Sequence, residues 1–119
     1  MELRADLSGP PIDGVEPKGR AEWSGDGQCT FGVTLSARLS DVNLPDGTVL
    51  TFRSCVGEDG SRPFLHDFTV SDGKAGFDLD RNDGDSVPRC DRNNPVDILD
   101  GDTVIASGVW CAPRIQECP

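Results

Sequence analysis

From Cys29 to Leu39 the chain alternates. Cys29, Phe31, Val33, Leu35, Ala37 and Leu39 share one side; Thr30, Thr34, Ser36, Arg38 and, one step on, Ser40 take the other. Period two sustained this long is the mark of an extended strand with one buried face, since a helix would scatter the same residues around its circumference. The phase slips at Ser40-Asp41, and Val42 and Leu44 restart the pattern, which predicts a bulge or bend at that point. A half-buried strand needs other strands to cover it, so the question becomes what the remaining segments supply.

They supply more short strands. Leu3, Ala5 and Leu7 alternate with polar neighbours and stop at Gly9-Pro10-Pro11. Residues 12–19 read as a loop or irregular sheet edge, because Pro10, Pro11 and Pro17 cannot donate to a ladder. Strands are expected over 20–23, 49–55, 64–70, 75–80, 96–99 and 103–110. Turns are expected at 24–28, at Leu44-Pro45-Asp46-Gly47-Thr48, at Ser71-Asp72-Gly73 and at Asp100-Gly101-Asp102. The longest stretch free of Gly and Pro is 33–44, and it alternates, so no substantial helix is expected. Seven to nine strands with closely spaced turns read as a sandwich or a small barrel; of these we expect an all-β antiparallel sandwich of Ig-like or related topology. The whole chain, 1–119, reads as one domain, with 111–119 an irregular tail tethered by a disulfide.

The net charge of -10 makes nucleic acid a poor partner and disfavours anionic lipid surfaces. No apolar run reaches the ~20 residues that span a bilayer as a helix, so membrane insertion is not expected. Met1 leads straight into the first strand, with no signal peptide ahead of it, as a start replacing a removed leader would. Five cysteines with no C-x2-C pair and a single histidine argue against zinc and for disulfides in an oxidising compartment. Two pairings are favoured. Cys55–Cys90 would tie the long acidic connection 81–95 to a strand, and Cys111–Cys118 would tie down the tail; each would stabilise by about 2–4 kcal/mol. Cys29 is then left over. The competing pairing, Cys29–Cys111, would staple two strands and leave Cys118 for a second chain.

The opening Leu3-Arg-Ala-Asp-Leu-Ser-Gly9, followed by Pro17-Lys-Gly-Arg-Ala-Glu-Trp23, resembles the first two strands of chordin-like domains of secreted bacterial proteins. The stretch from Phe31 through Leu50, then Asp83–Pro88 and Ser107–Trp110, is similar to a broader set of bacterial extracellular β domains. This resemblance implies a sandwich and secretion, and no activity. Chordin-like domains usually carry a His-Ile-His motif after the third strand; this chain has only His66, so a metal role does not carry over.

Three groups of residues invite chemistry. Asp80, Asn82, Asp83 and Asp85 could converge in one turn and offer oxygen ligands to calcium, although Gly84 falls one place late for an EF-hand counted from Asp78; the alternative is a hairpin of turn formers. His66 shares a face with Phe68 and Val70, while Asp67 points away and cannot orient it as a triad acid would. Trp23 and Trp110 could stack a sugar but sit at strand ends, where packing is the simpler reading. The leading expectation is therefore a non-catalytic extracellular structural or adhesion module, with a protein partner or self-assembly through an open strand edge or unpaired cysteine. A calcium-stabilised glycan-binding domain and a small secreted hydrolase are the alternatives.

Overall fold

The computed structural model describes residues 1–25, 32–60 and 62–118. Eight strands form: β1 Glu2–Ser8, β2 Lys18–Ser24, β3 Thr34–Ser40, β4 Val49–Ser54, β5 Phe64–Ser71, β6 Lys74–Asp80, β7 Pro95–Asp100 and β8 Thr103–Val109. The only helical element among the described residues is a 3-10 turn at Arg81–Asp83. The alternation over 34–39 forms the strand expected of it, with Leu35, Ala37 and Leu39 buried. Its first part, with Cys29 and Phe31, lies outside the described residues, as does most of the turn expected at 24–28. The phase slip at Ser40-Asp41 is the end of β3: Asp41 adopts a left-handed φ of 57° and the chain bends there.

The strands close into one antiparallel barrel, ordered β1-β2-β3-β6-β5-β4-β7-β8 with β8 returning to β1. This corrects the expected sandwich. Alternation specifies which side of a strand is buried, and that requirement is the same in both architectures; what separates them is whether the outermost strands pair. Here they do, at two narrow seams. Between β5 and β6 the ladder holds only Val70↔Ala75 and Ser71↔Lys74, next to the Asp72-Gly73 turn. Both turn residues have positive φ, 53° and 71°, as a two-residue hairpin of matching twist requires. Between β1 and β8 the strands meet at Ser8↔Ser107, and the same register resumes beyond β8 at Arg4↔Cys111, where each amide donates to the other's carbonyl at 2.8 Å. Elsewhere pairing is long: seven pairs join β1 to β2 and seven join β2 to β3.

An eight-stranded barrel is just wide enough for its interior to fill with side chains. The inner positions do fill: Leu3, Ala5, Leu7, Leu35, Leu50, Phe52, Val96 and Ile98 are all buried. A register shift between Ile98 and Leu99 buries neighbouring residues there and at Ile105-Ala106. The connection 81–94 is packed, not a free loop. Val87 and Cys90 are buried, Val56 and Arg89 exchange main-chain hydrogen bonds, and Trp23 Nε1 donates to Pro88 O at 2.9 Å. Trp110 Nε1 donates to Ser54 Oγ at 3.0 Å, and Ser54 Oγ donates to Pro95 O at 2.7 Å. Both indoles thus sit inside with their polar edge satisfied, as large aromatics in cores require.

Two stability outcomes follow. A Cβ on Gly108 would lie 2.3 Å from the main-chain oxygen of Asp6, so Gly108→Ala must push the β1/β8 seam apart. Urea unfolding of that variant should lose on the order of 2 kcal/mol; an unchanged midpoint would mean that β1 and β8 do not approach this closely. Ser54→Ala leaves the buried Trp110 N–H without its acceptor and should cost about 1–3 kcal/mol in the same assay.

Candidate functional site

The outer face of β1, β2, β3, β6 and β5 carries a groove of about 870 Å³. Its floor is made of residues with little or no side chain. Gly76 lies opposite Arg38 in the register, and Gly19 lies opposite Leu39 on the next strand; a Cβ on either would strike β3: 1.9 Å from Arg38 O for Gly19, 2.7 Å from Ala37 O for Gly76. Without a side chain at Gly76 the sheet is hollow outside β6, where a barrel wall would ordinarily present a polar group.

The rim is cationic. Lys18, Arg20, Arg38 and Lys74 line the groove, against Asp6 and Asp78. The chain has 11 Lys and Arg against 21 Asp and Glu, so four cations on one groove stand out from the prevailing charge. Arg20 Nε bonds Asp6 Oδ1 at 3.2 Å, and Lys18 Nζ lies 3.5 Å from Asp41 Oδ2. Arg38 lies over Gly76; its Nη1 donates to Ala37 O and Phe77 O at 2.8 Å each, and its Nη2 donates to Asp78. Lys74 makes no ion pair with another described residue, so its ammonium is available to a ligand.

Beneath the groove, on the inner side of the β5/β6 seam, four phenylalanines gather around the only histidine. The His66 ring lies 4.6 Å from Phe77 and stacks within 4° of parallel on Phe64 at 6.4 Å; Phe52 and Phe68 complete the cluster at 5.5 and 5.1 Å from Phe77. Phe64, His66, Phe77 and Leu79 are only half-buried, unlike the inner residues of the other strands. His66 forms no hydrogen bond with another described residue, and Asp67 lies on the opposite face, where its Oδ1 accepts from Thr51 Oγ1 at 2.8 Å. Among the described residues no carboxylate or hydroxyl is hydrogen-bonded to the imidazole.

The other residues singled out from the sequence are placed as follows. Cys55–Cys90 and Cys111–Cys118 are both disulfides, as expected, and the pairing of Cys111 rules out the competing Cys29–Cys111 bridge. Cys118 is thereby engaged within its own chain. Two bridges in a chain of this size fit an oxidising compartment. Asp80 Oδ1 accepts from Asn82 N at 2.9 Å and Asp85 Oδ2 accepts from Asp80 N at 2.9 Å, so both carboxylates cap the 3-10 turn. Asn82 and Asp83 are exposed, and no group of three or more His, Cys, Asp or Glu among the described residues is arranged to hold a metal. Trp23 and Trp110 are 3% and 0% exposed, so neither offers a face to a sugar.

Sequence reasoning did not single out Lys18, Arg20, Arg38 or Lys74. In the alternation Arg38 is one polar residue among Thr34, Ser36 and Ser40, with nothing to set it apart. The available signal was that both lysines of the chain are each followed within two residues by a strand glycine, Gly19 and Gly76.

Exposed ion pairs contribute little to stability, about 0–1 kcal/mol. Arg38→Met should therefore shift the unfolding free energy by less than about 1 kcal/mol, leaving a folded barrel with a less cationic groove; a larger loss would make Arg38 a structural residue. Comparison of the chain with protein-family models, with curated proteins and with solved structures finds no match.

Proposed function

We propose that this barrel is a non-catalytic extracellular module, of the structural or adhesion kind, that holds an anionic partner along the groove between β2 and β5. The observation that carries the reading is the placement of Lys18, Arg20, Arg38 and Lys74 on one glycine-floored concavity of a molecule with a net charge of -10. Concave sites with a few convergent polar groups are where ligands bind. The disulfides and the resemblance to chordin-like domains both support an extracellular setting. The wall is polar outside and apolar inside, the reverse of a barrel that faces lipid, which supports a module working in water.

The opposing charges make the salt dependence diagnostic. At about 0.01 M salt the screening length is roughly 30 Å. That is comparable to the 43 × 32 × 22 Å molecule, so a polyanion feels its whole negative charge. At about 0.1 M the screening length falls to roughly 10 Å and the groove acts alone; at about 1 M the groove is screened too. Dextran sulfate, titrated calorimetrically, should bind most tightly near the middle of that range. Lys18→Glu with Lys74→Glu should abolish the binding. No binding at any ionic strength would reject the reading.

A further inference from the structure

The register sorts the outer residues of neighbouring strands into rows that cross the groove. One row joins Asp6 on β1 to Arg20 on β2, Arg20 to Arg38 on β3, and Arg38 to Gly76 on β6. The next row, toward the Asp72-Gly73 turn, joins Ser8 to Lys18 and Lys18 to Ser40. The last β3–β6 pair is Leu39↔Ala75, so one step further Ser40 stands beside Lys74, and Lys74 pairs with Ser71 on β5. Hydroxyl and ammonium therefore alternate over five neighbouring strands, in the order Ser8, Lys18, Ser40, Lys74, Ser71.

The two rows are engaged differently. In the first, both arginines are already paired with carboxylates of this chain: Arg20 donates to Asp6, and Arg38 to Asp78 and to the carbonyls of Ala37 and Phe77. In the second, Lys74 has no acidic partner among the described residues, and the Ser71 hydroxyl forms no hydrogen bond with one. Ser40 Oγ donates to Lys18 O at 3.4 Å, at the outer limit of a hydrogen bond. Lys18 Nζ lies 3.5 Å from Asp41 in a pair exposed on both sides, which a ligand anion can exchange. Asp41 and Asp72 follow Ser40 and Ser71 in the chain, so the acids nearest this row stand beyond it, in the connections at the barrel end.

We infer that the partner held in the groove is a glycan carrying sparse sulfate esters, seated on Lys18 and Lys74 with Ser40 and Ser71 donating to the ester oxygens. This rests on the reading of the groove as the ligand contact and names what occupies it. A planar guanidinium fork takes two oxygens of a carboxylate at once, but the groove's arginines are paired within the chain. An ammonium flanked by hydroxyls offers donors from separate directions instead, which suit an anion with three outward oxygens. Neighbouring strands lie about 4.8 Å apart, so the main chain at Lys18 and Lys74, two strands apart, is separated by about 10 Å. The net charge of -10 repels every ligand charge that lacks a facing cation. Singly charged esters held apart by neutral sugar rings therefore suit the two lysines better than phosphate esters, each of which carries nearly two charges. The rings between them lie along the hollow outside Gly76, beside the Thr69 hydroxyl.

The test compares three lightly substituted dextrans of equal length and substitution, bearing sulfate, phosphate or carboxymethyl groups, by calorimetry near 0.1 M salt. The sulfated chain should bind at least about tenfold more tightly than the carboxymethylated one, and more tightly than the phosphorylated one. Ser40→Ala with Ser71→Ala should weaken the sulfated chain about tenfold and leave the carboxymethylated one unchanged. Lys74→Arg, which supplies an unpaired fork, should narrow the gap between sulfate and carboxylate. Equal binding of the sulfated and carboxymethylated chains, tighter binding of the phosphorylated one, or indifference to the serine pair would overturn the ester reading while the anionic groove stands. Failure of all three chains where heavily sulfated dextran binds would do the same. Failure of the heavily sulfated polymer as well would reject the groove itself.

Discussion

Closure of the barrel is the constraint on which the rest depends. Eight strands, each with one apolar side, bury those sides only if the first and last meet and if β5 and β6 hold together through a two-residue turn. Neither junction has a long ladder to secure it. At β1/β8 the backbones meet because Gly9 and Gly108 carry no side chain where Ile105 and Asp6 stand in the way. At β5/β6 the aromatic cluster around Phe77 packs across the gap that hydrogen bonds leave. The same economy of side chains that lets strands approach leaves a hollow on the outer wall, so the groove is a by-product of how the sheet curves.

Much of this was legible in the sequence. The buried side of β1, β3, β4, β5 and β6 could be read from alternation, because a period of two has a single structural meaning when one face is apolar, whereas the bulge between β7 and β8 buries neighbouring residues and breaks that pattern. The turns at Asp46-Gly47 and Asp72-Gly73 could be read from residues that tolerate positive φ. Both disulfides could be reached by asking which loops most needed fixing. Edge pairing could not be read, because closure depends on long-range approach between residues such as Gly9 and Ile105 that no local pattern records. The connection 81–94 is tied down at Cys90 as expected, but its packing could not be read for a similar reason: Val87-Pro88 is too short an apolar run to stand out among acidic neighbours, yet Pro88 O accepts from Trp23 Nε1.

The groove was the hardest feature to anticipate. Lys18 and Arg20 on β2, Arg38 on β3 and Lys74 on β6 are ordinary solvent-facing residues in sequence, and only the register places them together. In a chain with 21 acids against 11 bases, the overall charge hides a local reversal of sign. Screening makes the distinction real, since at about 0.1 M salt charges more than roughly 10 Å away contribute little.

The placement of the indoles has a spectroscopic consequence. Trp23 is anchored at Pro88 and Trp110 at Ser54, toward the end of the barrel that holds the long connection and both cystines, and the chain has no tyrosine. Ultraviolet emission from this protein therefore reports on one pole of the molecule. A ligand in the groove beside Lys18, Ser40, Ser71 and Lys74, at the opposite strand ends, would leave that glow nearly unaltered, so a silent fluorescence titration would say nothing against binding. Placing a dye or an added tryptophan near the mouth of the hollow would restore sight of the other pole.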